Sequence, residues 1–173
     1  MNPFFATRGR GQGSPAAVRH GSLGRTLAVA ALAATAVFST GRAGAAEFER
    51  LEVVTARGAQ VFRVEVVDTD ETRARGLMFR TEMAADQGML FDFRREESVA
   101  FWMKNTYLPL DMIFVRADGK IRSIAADTTP LSEAPVAAGG PVRFVLEVNA
   151  GTAARLGIRP GDTIVHPRVR TAK

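Results

Sequence analysis

A lone tryptophan, Trp102, stands two residues before Lys104, and the acids Asp111 and Glu147 and the base Arg143 follow it. These residue types can make a binding surface. An indole offers a flat face for stacking, and a lysine brings three N–H donors. Carboxylates accept hydrogen bonds or, as a pair, act as acid and base. Alternation along strands puts Trp102 and Lys104 on the face away from Val99, Phe101 and Met103. It puts Asp111 away from Leu110, Met112 and Phe114, and Arg143 and Glu147 away from Phe144, Leu146 and Val148. If the three strands share a sheet, the five residues line one shallow surface that could bind a polar or anionic small molecule or a glycan. The competing reading is a solvated outer face with cross-strand ion pairs.

Neighbouring groups extend the set. Lys104-Asn105-Thr106 ends a strand and could grip a carboxylate, a phosphate or a sugar hydroxyl. Alternatively it is a turn in which Asn105 bonds its own backbone. Arg73, Arg75 and Arg80 flank a short helix, as an anion site or as a solvated face on which Glu71 pairs with Arg75. Asp111 and Glu147 could serve as the two carboxylates of a hydrolase. The residue types favour structural acids instead, buried or paired with Lys104 or Arg143.

Other chemistries lack their residues. The chain has no cysteine, which excludes disulfides, thiolate metal sites and cysteine nucleophiles. Of the two histidines, one is His20 in the N-terminal segment and the other His166 near the end, too few for a serine–histidine or multi-histidine metal site. Met78, Met83, Met89, Met103 and Met112 could bind Cu(I), but Met89, Met103 and Met112 fall on the most apolar strand faces, where methionine fills core gaps. Gly139-Gly140 precedes a proline and a strand, so it is no phosphate loop. No cofactor is expected.

The elements that must position these groups are short. Strands are expected at Leu51–Ala56, Gln60–Val67, Gly88–Phe93, Val99–Lys104, Tyr107–Val115, Lys120–Ala125, Val142–Val148 and Thr163–Val165. Asp118-Gly119 is a hairpin signal. A helix starts at Asp68-Thr69-Asp70-Glu71 and stops at Gly76, and a second runs from Gly151 to Leu156, closed by Gly157. Arg94–Ser98 reads as a charged loop and Thr128–Pro141 as an irregular excursion. Many short strands with two short helices predict a mainly β fold, a sandwich, jelly roll or barrel.

The net charge of +5 is unevenly placed. Five of the 23 basic residues, and none of the 18 acidic ones, precede Glu47, so the remainder balances at zero. Nucleic-acid binding therefore loses its electrostatic support. The N-terminal excess reads as a secretory signal. A basic stretch ends at Arg25, an apolar run follows from Thr26 to Phe38, and Ala43-Gly44-Ala45 fits signal-peptidase cleavage. Residues 1–45 are expected to be removed. Residues 46–173 would remain as one periplasmic or secreted domain without a stable membrane anchor.

Several blocks resemble domain-of-unknown-function family 192. They are Arg73-Ala74-Arg75-Gly76-Leu77-Met78-Phe79-Arg80, Gly88-Met89-Leu90-Phe91-Asp92-Phe93 and the run from Phe101-Trp102-Met103-Lys104-Asn105-Thr106 to Phe114. Val145-Leu146-Glu147-Val148-Asn149-Ala150-Gly151, Leu156-Gly157-Ile158 and Gly161-Asp162 follow, so the likeness spans about Val53 to Val165. Its signature falls on Arg75, Gly76, Met78, Gly88, Trp102, Lys104, Asn105, Asp111 and Glu147. The chain departs at Asp70, where many relatives carry proline, and at Thr81-Glu82-Met83, where they often carry Leu-Pro. The resemblance implies a compact, mainly β fold and brings no established activity. The expected function is an exported binding module. The alternatives are a hydrolase using Asp111 and Glu147, and an accessory protein that meets envelope proteins through an apolar rim.

Overall fold

The computed structural model describes residues 47–169; the expected leader and its cleavage point at Ala45 lie outside them. Seven strands run in the chain order β1 (Phe48–Thr55), β2 (Gly58–Val67), β3 (Gln87–Phe101), β4 (Leu110–Val115), β5 (Ile121–Thr128), β6 (Val136–Asn149) and β7 (Thr163–Val165). The helix α1 (Asp70–Arg75) lies between β2 and β3, and α2 (Thr152–Leu156) between β6 and β7. All strands join one sheet in the order β5-β4-β6-β3-β2-β1-β7. A bridge between Lys120 and Thr163 brings the last strand to the foot of β5, so the sheet curls into a half-barrel. The mainly β expectation with two short helices holds, in the barrel-like form.

One pairing sets up the site. β2 and β3 are parallel, with Val64 beside Gly88 and Val66 beside Leu90, whereas the other strand pairs are antiparallel. Parallel neighbours need a crossover rather than a tight turn. Here α1 and residues 76–86 make it. Thr69 caps α1 by accepting from Thr72 N–H, Asp70 and Glu71 sit in the first turn, and Gly76 ends it.

Two apolar clusters pack on the two sides of the sheet. The first takes residues from all seven strands, among them Leu51, Phe62, Leu90, Ile113, Ile121, Phe144 and Ile164, as the concave side of a curled sheet must. The second covers the other side of the central strands with Met89, Phe91, Met112, Phe114 and Val145, capped by Leu77 of the crossover and Met103. β4, flanked by β5 and β6, is consequently buried at every position. Such two-sided burial removes the distinction between a core face and a solvent face.

Two expected irregular segments are strand. β3 runs through Arg94–Ser98, and β6 begins at Val136, inside the stretch expected to be irregular. They pair as Glu97 with Val142, Ser98 with Pro141 and Phe101 with Val136, with register shifts on either side. Arg94, Arg95, Glu96 and Ser98 are exposed, so this part of the sheet tolerates charge. In the other direction, β3 stops at Phe101, so Trp102 lies just beyond the strand and Lys104 in the turn that Thr106 N–H closes on the Met103 carbonyl at 3.0 Å. Among the described residues no helix is long and apolar enough to cross a membrane.

Candidate functional site

The crossover and the end of β3 enclose a cleft of about 240 Å³. Its walls are Phe91, Phe93 and Phe101 from β3 and Leu77 and Met78 from the crossover, and Arg75 and Trp102 stand exposed at its rim. Phe101 meets Phe91 and Phe93 edge-on, with ring centroids 5.0 and 6.2 Å apart, which fixes the aromatic wall. Gly76 lets the crossover lie against this wall. It adopts φ 47° and ψ −134°, and a Cβ there would sit 3.1 Å from Phe91 Cζ. Gly76→Ala should therefore cost about 1–3 kcal/mol, seen as a lower melting temperature, because the backbone is strained for any side chain and Phe91 must yield.

Glu147 forms part of the cleft lining. It lies on β6 between Met89 of β3 and Met112 of β4, and only 4% of it is exposed. No hydrogen bond or ion pair from a described residue reaches its carboxyl. Burial alone acts on it and pushes its pKa up to about 8. At neutral pH the group is thus mostly an uncharged acid, able to donate one hydrogen bond and accept others. Nearby cations do not offset this. Arg73 is spent on the carbonyls of Asp68 and Asp92, at 2.8 and 2.9 Å, and on the carboxylate of Asp70. The Arg75 guanidinium has no hydrogen-bond or ion-pair partner among the described residues; only its backbone carbonyl is engaged, by Met78 N–H at 3.0 Å.

The rim carries the other expected groups. Trp102 is 48% exposed, and Lys104 Nζ lies 5.0 Å from its ring centre. Lys104 also faces Glu133 at 3.6 Å, and Glu133 and Trp102 share a second hollow with Pro135. Asn105 takes the turn role: its φ is +54°, and its carbonyl accepts from Phe79 N–H at 2.9 Å. Thr106 accepts from Leu131 N–H at 3.1 Å, so this turn ties the crossover to the loop after β5. Phe79 and Leu131 also have left-handed backbone and, with Tyr107, are exposed.

The five residues expected on one surface are not all brought together. Asp111 pairs with Val148 and Glu147 with Met112, so their side chains leave the sheet on opposite faces. Asp111 is fully buried and accepts from the backbone N–H groups of Asp127, Gly151 and Ala153 at 3.0, 3.2 and 2.8 Å. It anchors the start of α2 and the end of β5. A hydrolytic pair of Asp111 and Glu147 is thereby corrected: the sheet itself separates the two groups. Arg143 is also elsewhere, stacked 4.6 Å from the Phe144 ring centre and bonded through Nε to the buried Asp92 at 3.1 Å. Trp102, Glu147 and Arg75 share the cleft, with Lys104 beside it.

The residue reading missed the cleft walls. Phe91, Phe93 and Phe101 look like core residues by alternation, and the helix bearing Arg75 looks like a solvated surface. Their one signal was the block Arg73–Arg80, whose glycine follows the helix directly.

The profile of domain-of-unknown-function family 192, described as uncharacterized ACR, matches residues 52–166. A crystal structure from Sinorhizobium meliloti 1021, described as that of a candidate transcription regulator, is 46% identical to this chain. The match covers 72% of this chain and 98% of that one, with a TM-score of 0.70. A protein of unknown function from Novosphingobium aromaticivorans DSM 12444 is 42% identical over 82% of this chain and 99% of that one, with a TM-score of 0.68. No curated protein matches the chain.

Proposed function

The chain belongs to domain-of-unknown-function family 192, and on that footing we propose that it is an exported module that binds a compact, polar or anionic small molecule in the Glu147 cleft. The observation that carries this reading is a largely buried carboxyl, without a partner among the described residues, in an aromatic cleft. A ligand group at the inner end of the cleft could hydrogen-bond this carboxyl, a contact worth about 0.5–1.5 kcal/mol. The rim supplies the means of holding a negative group, since Arg75 is uncommitted and Trp102 offers a face. The cleft volume of about 240 Å³ falls below the roughly 300–1,000 Å³ of sites for drug-sized ligands. It therefore suits one sugar ring or a small organic acid rather than an oligosaccharide.

Trp102 makes the test simple, because it is the only tryptophan and it stands at the rim. Titrating the protein with a panel of monosaccharides and small carboxylates should give a saturable change in its emission for at least one compound. Arg75→Ala should weaken that compound's binding about tenfold, the loss of roughly one charge-assisted hydrogen bond. Flat titrations and unchanged melting temperatures across the panel would contradict the reading.

A second reading rests on the exposed Phe79, Tyr107, Leu131 and Trp102 around the same turn. A fixed apolar rim of this kind also suits contact with another exported protein. Substituting Phe79 and Leu131 together with serine would leave small-molecule titrations unchanged and abolish such contact. The description of one relative as a candidate transcription regulator is not carried over: outside the N-terminal segment, basic and acidic residues balance.

A further inference from the structure

After β7 the chain turns back onto the half-barrel. Val169 N–H closes a turn on the His166 carbonyl at 2.8 Å, and the Val169 side chain joins the concave core. There it packs on the β4–β5 turn, where a Cβ on Gly119 would lie 2.8 Å from Val169 Cγ1. Arg168 reaches other strands. Its guanidinium bonds Asp68, just after β2, at 2.9 Å and stands 3.9 Å from the buried Asp92 of β3. Arg94 holds Asp68 at 3.1 Å, and Arg143 holds Asp92 at 3.1 Å. His166 itself is buried, and its Nδ1 accepts the N–H of Arg168, two residues on, at 3.3 Å. An asparagine or aspartate oxygen makes the same bond in an Asx turn. A nitrogen that accepts carries no proton, so the neutral ring holds its proton on Nε2. Nε2 has no hydrogen-bond partner among the described residues, although the Glu49 carboxylate of β1 lies 3.4 Å away.

We propose that His166 is a proton-operated catch: neutral, it holds residues 166–169 against the half-barrel, and protonated, it releases them. The geometry gives the reason. A second proton must go on Nδ1, where the Arg168 N–H already points. That bond is lost, and a cation is left in a closed position beside the Arg168 side chain. Release withdraws Val169 from the core and parts Arg168 from Asp68, which directly precedes Thr69, the cap of α1. The crossover that walls the cleft then loses one of its ties. The catch does not depend on what the cleft binds.

The charged groups around the ring are Glu49 of β1, Asp92 of β3 and Arg168 of its own segment. Burial and Arg168 oppose the imidazolium, whereas Glu49 and Asp92 favour it. Burial is the largest influence, and the pKa is held below the ordinary 6.5. In the released segment the ring takes its proton at about pH 6.5, and in the held segment only at lower pH. Between the two the released form binds more protons. Each unit of acidification therefore shifts the balance toward release by up to about tenfold. Asp68 stays ionised through this window, because Arg168 beside it holds its carboxyl below the ordinary 3.8.

The experiment follows the full processed chain by NMR from pH 8 to pH 4.5, reading the His166 ring nitrogens and amide hydrogen exchange. At pH 8 the ring should show the Nε2–H tautomer. The Arg168 and Val169 amides should be less protected than those of β4 at every pH, the mark of local opening. Corrected for intrinsic exchange, their protection should fall about tenfold between pH 7 and pH 5, in step with the ring titration. His166→Asn keeps an acceptor for the Arg168 N–H and cannot titrate, so protection at pH 7 should persist and its fall should vanish. Glu49→Gln leaves the ring intact and removes a partner of the imidazolium, so the fall should move to lower pH. Segment amides as protected as those of β4 would overturn the catch, since release would then need global unfolding. So would protection that stays constant while His166 titrates. The same fall in the His166→Asn protein would overturn it too and assign the release to a carboxylate.

Discussion

Replacing Glu147 with methionine should make the protein more stable, and more so as the pH rises. The carboxyl's pKa is raised from 4.5 to about 8 by burial alone. Between those values the folded state holds a proton that the unfolded chain gives up. The native protein therefore loses stability as pH climbs from about 4.5 to about 8, and the loss is complete above that. A methionine has no charge to desolvate, and its cross-strand neighbours are Met89 and Met112. In urea unfolding, Glu147→Met should gain about 3 kcal/mol at pH 9 and much less at pH 5, a shift of several degrees in melting temperature. The same substitution should end ligand binding. A residue that lowers stability where an apolar one would raise it marks a site kept for something other than folding. Equal stability of the two proteins at pH 9 would mean that Glu147 is already satisfied in solution.

Asp111→Ala should do the reverse. Its carboxylate holds three backbone N–H groups, from Asp127, Gly151 and Ala153, in a position closed to water. Removing it strands those donors inside the fold and leaves a void where α2 meets the sheet. The expected loss is about 3–5 kcal/mol, a large part of the 5–15 kcal/mol typical of a domain. The melting temperature should fall by more than 10 °C, and refolded protein at low temperature should still bind ligand with normal affinity. Asp111→Asn should lose less, since one oxygen still accepts, though its amide hydrogens face donors. A fall of only a degree or two would remove Asp111 from its structural role. The two acids sit on adjacent strands one register step apart, so the contrast depends wholly on which face each occupies.

That contrast was not legible in the residues. Alternation correctly separates neighbours within β4 and within β6. It cannot say that both faces of these strands are covered, and this is why a mixed face did not mean a surface. Parity also fails across Phe101, where β3 ends and the backbone turns, so Trp102 and Lys104 could not be placed by counting. The capped start of α1, its stop at Gly76, the Asp118-Gly119 hairpin and the closure of α2 at Gly157 were legible, because each rests on local backbone chemistry. Arg94–Ser98 and residues 136–141 were not, because their strand pairing comes from each other and not from any apolar pattern. Of the site, Trp102, Glu147 and Arg75 were singled out by type. The phenylalanine wall and the Gly76 approach that bring them together come from the β2–β3 crossover.

The central claim is that Glu147 is a largely buried acid, without a partner among the described residues, that a ligand in the cleft engages. Carboxyl carbon NMR of glutamate-labelled protein, followed from pH 3 to 10, tests it directly. Glu147 should titrate near pH 8, well apart from the exposed glutamates, and its resonance and midpoint should shift when a ligand from the sugar and carboxylate panel is added. A Glu147 midpoint in the ordinary carboxylate range, unchanged by ligand, would contradict the account.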